Sequence, residues 1–168
     1  MEQQVTLNPY AFNRAANVIF IEQPAGVGFS YTNGNANDTT TAADTVYALR
    51  AFLNKPPELQ GREFYVMGES YGGHYVPAIS YYIHERNLDL TKCNGPTLLN
   101  TPCQALPFQG MAIGDGWIDP VNQMTGYPGL LYNFGLVDDN LVTGVSEFLR
   151  PKGVVAAIAA WIILNQIL

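Results

Sequence analysis

Apolar residues fall along the chain in two rhythms, short unbroken runs and helical spacings, and the two alternate. Asn17-Val18-Ile19-Phe20-Ile21 is an apolar run with β-branched and aromatic side chains and predicts a buried strand, ended by the loop Gln23-Pro24-Ala25-Gly26-Val27-Gly28. An Asn/Gly-rich turn from Asn33 to Asp38 follows. Ala42, Val46, Leu49 and Leu53 then recur at helical spacing, with Thr41 and Asp44 as the capping pair and Pro56-Pro57 as the stop. Glu63-Phe64-Tyr65-Val66-Met67 predicts a second strand that runs straight into Gly68-Glu69-Ser70-Tyr71-Gly72-Gly73. Val76, Ile79 and Ile83 share one face of a helix predicted from His74 to Asn87, with Pro77 either kinking it or marking its first turn. Residues 88–107 hold three prolines and predict an irregular surface insertion.

Phe108 to Ile113 predicts a third strand, closed by Gly114-Asp115-Gly116. Asp119-Pro120 starts a helix by the cap-plus-proline rule, Tyr127-Pro128-Gly129 interrupts it, and Asp138 to Leu149 predicts another. Alternating strands and helices predict an α/β domain on a parallel sheet. The tail from Val154 to Leu168 is almost wholly apolar over 15 residues. That is short of the roughly 18–20 needed to cross a bilayer, so a buried helix is expected there and no membrane span.

Composition narrows the functional classes. The 168 residues suit a single domain, and 48% hydrophobic content excludes compositional disorder. Eight Lys and Arg against 14 Asp and Glu leave a net charge of −6 with no basic cluster. Nucleic acid and an anionic membrane surface are therefore excluded as expected partners. Cys93 and Cys103 are too few for a disulfide scaffold or a four-thiolate zinc site. Their turn-rich flanks suit a local disulfide and two free thiols equally, and no metal or cofactor is expected. Asn37-Asp38-Thr39 is a glycosylation sequon. Met1 to Val5 has neither a basic nor an apolar signal region, so either the protein is cytosolic or its true start lies upstream.

One motif carries chemistry. Gly68-Glu69-Ser70-Tyr71-Gly72 is G-x-S-x-G set between a strand and a helix, the context of a nucleophile elbow. A reactive serine there sits on a sharp, strained turn, so small residues are needed on both sides, and Gly68, Gly72 and Gly73 supply them. The free N–H groups at the start of the next helix point toward the site, and the Tyr71 N–H is a candidate oxyanion donor. The relay is missing. His74 and His84 are the only histidines, and no acidic residue lies between Ser70 and His84, so the order Ser, Asp, His cannot be met. Both histidines are expected to be structural. No Gly-Gly pair precedes the elbow to supply a second oxyanion donor.

Three stretches resemble the serine carboxypeptidases. Asn17-Val18-Ile19-Phe20-Ile21-Glu22-Gln23-Pro24-Ala25-Gly26-Val27-Gly28-Phe29-Ser30-Tyr31 is similar to a signature of that family, and Gly68 to Pro77 to its nucleophile motif. Ile113 to Pro120 resembles the segment after the next strand, most like the vitellogenic-type branch. The likeness runs from about Asn8 to Asp139 and is looser in the tail.

The resemblance implies a partial α/β-hydrolase fold, with residues 1–119 forming the sheet core around the elbow and 120–168 a helical insertion. It implies removal of C-terminal residues from peptides at acidic pH, in a secretory or lysosome-like compartment that suits a glycosylated Asn37 and a Cys93–Cys103 disulfide. Ser70 would be the nucleophile, the Tyr71 N–H an oxyanion donor, and Glu69 the acid that binds the substrate's terminal carboxylate. The family's Asn-Gly-Gly-Pro-Gly loop, catalytic Asp and catalytic His have no counterpart among these residues. An internal piece of a longer enzyme, inactive alone, is therefore expected. An acyltransferase on the same scaffold and a truncated, partner-binding product are the alternatives.

Overall fold

Asn37, and not Thr41, starts the first helix. The computed structural model describes residues 5–34, 36–92 and 104–149. In it, Asn37 Oδ1 accepts from the Thr40 N–H at 2.9 Å and Thr40 Oγ1 accepts from the Asn37 N–H at 2.9 Å. This reciprocal box satisfies donors that the first turn leaves free, and it sets α1 at Asp38–Leu53. The predicted pair falls inside the helix, Thr41 buried and Asp44 exposed. Ala42, Val46 and Leu49 are buried as their spacing requires. Asn37→Ala is expected to cost about 0.5–2 kcal/mol in a denaturant melt of the gene product. Asn37→Asp should cost far less, because its oxygen accepts the same bond.

The strand β1, Phe64–Glu69, the helix α2, Gly72–Leu88, and the strand β2, Phe108–Gly114, make a parallel β-α-β unit. Tyr65 to Glu69 pair in register with Gly110 to Gly114. Ile79 and Ile83 on α2 pack with Ala42 and Val46 of α1 and Leu106, and Phe64, Val66 and Phe108 cover them from the sheet. Each such large side chain removed from water contributes about 1.5–3 kcal/mol. Pro77 is the sixth residue of α2, which continues past it. Asn87 ties the far end down. Its Nδ2 donates to Leu106 O at 2.8 Å and its Oδ1 accepts from Leu106 N at 2.9 Å, fixing where the chain re-enters the sheet.

Three helices follow, α3 at Pro120–Met124, α4 at Tyr127–Asn133 and α5 at Asp139–Leu149. Asp119 Oδ1 accepts from Asn122 N at 3.3 Å, as the Asp-Pro start predicts. The Tyr127-Pro128-Gly129 break is itself the start of α4, where proline's missing N–H costs nothing. Met124 and Leu131 are buried together, with Val137 and Val145 against them.

The expected strand at residues 17–21 is not formed. These residues have no regular structure, and Phe20 is 86% exposed. A strand is made by pairing, and no described strand lies beside this run. The sheet face opposite α2 is likewise open, with Tyr65 and Met67 exposed. Cys93, Cys103 and the apolar tail at 154–168 lie outside the described residues. Among the described residues no helix is long and apolar enough to cross a membrane.

Candidate active site

β1 ends at Glu69 and α2 begins at Gly72, so the chain reverses over Ser70 and Tyr71. Ser70 takes φ +57°, a left-handed conformation that costs a non-glycine residue about 1–3 kcal/mol unless its surroundings enforce it. The surroundings do so with three backbone bonds. Ser70 N donates to Gly114 O at 3.1 Å, and Ser70 O accepts from Gly73 N at 3.0 Å and Trp117 N at 2.8 Å. Two of the three partners come from the end of β2 and the loop after it. The C-terminal edge of the parallel strands thus holds the turn in place.

The Ser70 side chain is left exposed, and the Tyr71 N–H has no backbone acceptor among the described residues. The 17-residue helix α2 directs its N-terminal partial positive charge at the same point. A serine oxygen beside an unused N–H at a helix start can attack a carbonyl and stabilise the oxyanion that forms.

Glycine is needed where elements touch. A Cβ on Gly68 would lie 2.7 Å from Val76 Cγ2, and one on Gly73 would lie 2.7 Å from Trp117 N and C. Gly72 differs, since a Cβ there would meet Val76 Cγ2 only at 3.9 Å.

Glu69, Ser70 and Tyr71 line a cleft of about 370 Å³ together with Gln23, Met67 and Tyr75. Glu69 is exposed, on the same side of β1 as Tyr65 and Met67. A second cleft of about 370 Å³ shares Tyr71 and Tyr75 and is lined also by Pro24, Asn37, Asp38 and Thr41. Burial, and then the nearby Asp38 carboxylate, raise the Tyr71 phenol above its ordinary pKa. Burial comes first for Tyr75 as well, followed by Tyr71 and Asp38. Both phenols therefore stay neutral well past neutral pH.

His74 is engaged elsewhere. Its Nδ1 lies 3.7 Å from Asp38 Oδ2, and its ring stacks on Tyr71 at 4.7 Å between centroids. His84 is exposed farther along α2. Among the described residues no three His, Cys, Asp or Glu come together to hold a metal ion. Trp117, Gly114, Gln23 and Tyr75 belong to this region but are not evident from the motif. The readable signal for the first two was position, since a loop leaving a parallel neighbour must pass the elbow.

Glu22 shapes the first stretch. Its Oε2 accepts from Phe29 N at 2.6 Å, its backbone O accepts from Ser30 Oγ at 2.7 Å, and Gly28 at φ +58° leaves room for the carboxylate. The loop so closed brings Gln23 and Pro24 to the two clefts.

The family model described as serine carboxypeptidase matches residues 1–159. The venom serine carboxypeptidase of Apis mellifera is 40% identical over 139 residues, covering 80% of this chain and 27% of that protein. Serine carboxypeptidase-like 35 of Arabidopsis thaliana is 34% identical over 147 residues, covering 84% of this chain and 28% of that protein. A solved prohormone-processing carboxypeptidase from Saccharomyces cerevisiae superposes with a TM-score of 0.61 at 24% identity, over 78% of this chain and 29% of that one. The chain thus has part of an α/β-hydrolase fold and spans less than a third of the length of each protein. No branch within the family is distinguished.

Proposed function

Because the chain belongs to the serine carboxypeptidase family, we propose that its gene product removes C-terminal residues from peptides through an acyl-enzyme on Ser70. The observation that carries this reading is the elbow, a serine held at φ +57° with its side chain exposed beside the unused Tyr71 N–H. Ser70 Oγ attacks the last peptide carbonyl, the Tyr71 N–H donates to the oxyanion, and the C-terminal residue leaves as the amine. Water then releases the acyl group. Water and not an alcohol is the second nucleophile, a reading supported by the venom relative's name, serine carboxypeptidase.

The general base lies outside these 168 residues, since His74 is engaged by Asp38 and Tyr71 and His84 is exposed about three turns along α2 from the elbow. The 168 residues alone then turn over no substrate. Secretion or delivery to a lysosome-like compartment is part of the proposal, supported by the venom relative's name.

Glu69 is the reader of the free C-terminus. It lines the Ser70 cleft one residue before the nucleophile. Two carboxylates repel, so Glu69 binds the terminal carboxylate in its acid form, at acidic pH, donating its proton. A hydrogen bond to a charged group is worth about 1.5–3 kcal/mol, roughly 10- to 150-fold in binding. The test compares a peptide acid with its C-terminal amide on wild type and Glu69→Ala. Wild type should strongly prefer the acid, and Glu69→Ala should lose most of that preference through KM. An unchanged preference would make Glu69 a bystander, and no preference in wild type would remove the carboxypeptidase reading itself.

A further inference from the structure

We propose that Asn37 carries an N-linked glycan, and that its amide divides two tasks between two atoms. Oδ1 caps α1 while Nδ2 bears the sugar. Asn37-Asp38-Thr39 is the lone sequon in the chain, and both Asn37 and Thr39 are exposed. The backbone at Asn37 is extended, φ −137° and ψ 172°, immediately before the helix. Oδ1 accepts from Thr40 N, whereas Nδ2 donates to no described residue. Glycosylation leaves an amide carbonyl in place, so the cap persists.

The hydroxyl that completes the sequon belongs to Thr39, and the one that completes the capping box belongs to Thr40. The two tasks are therefore separable by mutation. Asn37 also lines the cleft that shares Tyr71 and Tyr75 with the Ser70 cleft, which puts the glycan at the edge of the candidate active site.

The step forms the bond from Nδ2 to the anomeric carbon of an oligosaccharide on a lipid pyrophosphate donor. It breaks that carbon's bond to the pyrophosphate oxygen, and the lipid pyrophosphate and the amide proton leave. It rests on the secretory reading above, because such donors face the lumen.

The test uses the gene product from its own cells, released from N-glycans by an amidase in heavy-oxygen water and mapped by peptide mass spectrometry. The result expected is a heavy aspartate at position 37, retained in Thr39→Ser and absent in Thr39→Ala. The glycosylated protein should melt with Asn37→Asp and not with Asn37→Ala. Unlabelled position 37 in protein recovered from the medium or a protease-protected lumen overturns the glycan and leaves the secretory reading standing. Unlabelled position 37 in cytosolic protein overturns both. A glycosylated protein that melts like Asn37→Ala overturns the division of tasks.

Discussion

Ser70→Ala in the gene product is expected to lower kcat by about 10⁴- to 10⁶-fold on a blocked dipeptide with a free C-terminus, as loss of the nucleophile does in triad enzymes. KM should move little, because the substitution removes one oxygen and no binding group. The backbone bonds from Ser70 to Gly114, Gly73 and Trp117 do not involve the side chain. The fold should therefore be unchanged by circular dichroism and melting, which separates lost chemistry from lost structure. A fluorophosphonate reagent should label wild type and leave Ser70→Ala unlabelled. A loss smaller than tenfold would place the reactive group elsewhere, with Ser70 only the apex of a turn.

What the sequence made legible follows from which interactions are local. The elbow was readable because its strand, glycines and helix are contiguous in the chain. The apolar spacing of α2 also sufficed, since Ile79 and Ile83 bury the same face that their period marks. The run at 17–21 has strand chemistry, yet without a paired neighbour its hydrogen bonds and its Phe20 side chain have nowhere to go.

The start of α1 was misplaced for a different reason. Thr41 with Asp44 and Asn37 with Thr40 are both legitimate caps by spacing, and the extended backbone at Asn37 decides between them. Trp117 was legible only through its place in the loop after β2, because its contribution is a backbone N–H reaching back 47 positions to Ser70 O. No side-chain motif encodes that contact.

The three elbow glycines should separate sharply when each is replaced by alanine. Gly73→Ala sets a Cβ 2.7 Å from backbone atoms of Trp117, which have no rotamer to yield. The chain must part there, taking with it the Trp117 N–H that holds Ser70 O at 2.8 Å. Overpacking of this kind costs about 1–3 kcal/mol, and kcat should fall with it because the nucleophile shifts. Gly68→Ala meets Val76 Cγ2 at 2.7 Å, a side chain that is 2% exposed and so cannot swing clear, although β1 can bend. A smaller loss is expected.

Gly72→Ala enters ordinary contact at 3.9 Å, at a residue whose φ is not positive, in the first turn of a helix. Alanine should be neutral there, or stabilise by up to about 0.5–1 kcal/mol through the glycine entropy that it removes. Denaturant midpoints and kcat for the three single variants measure the series. The reading of the elbow as a contact between α2 and the loop after β2 requires Gly73→Ala to be the worst. Equal losses at Gly72 and Gly73 would mean that space around the nucleophile itself, and not that contact, sets the demand for glycine.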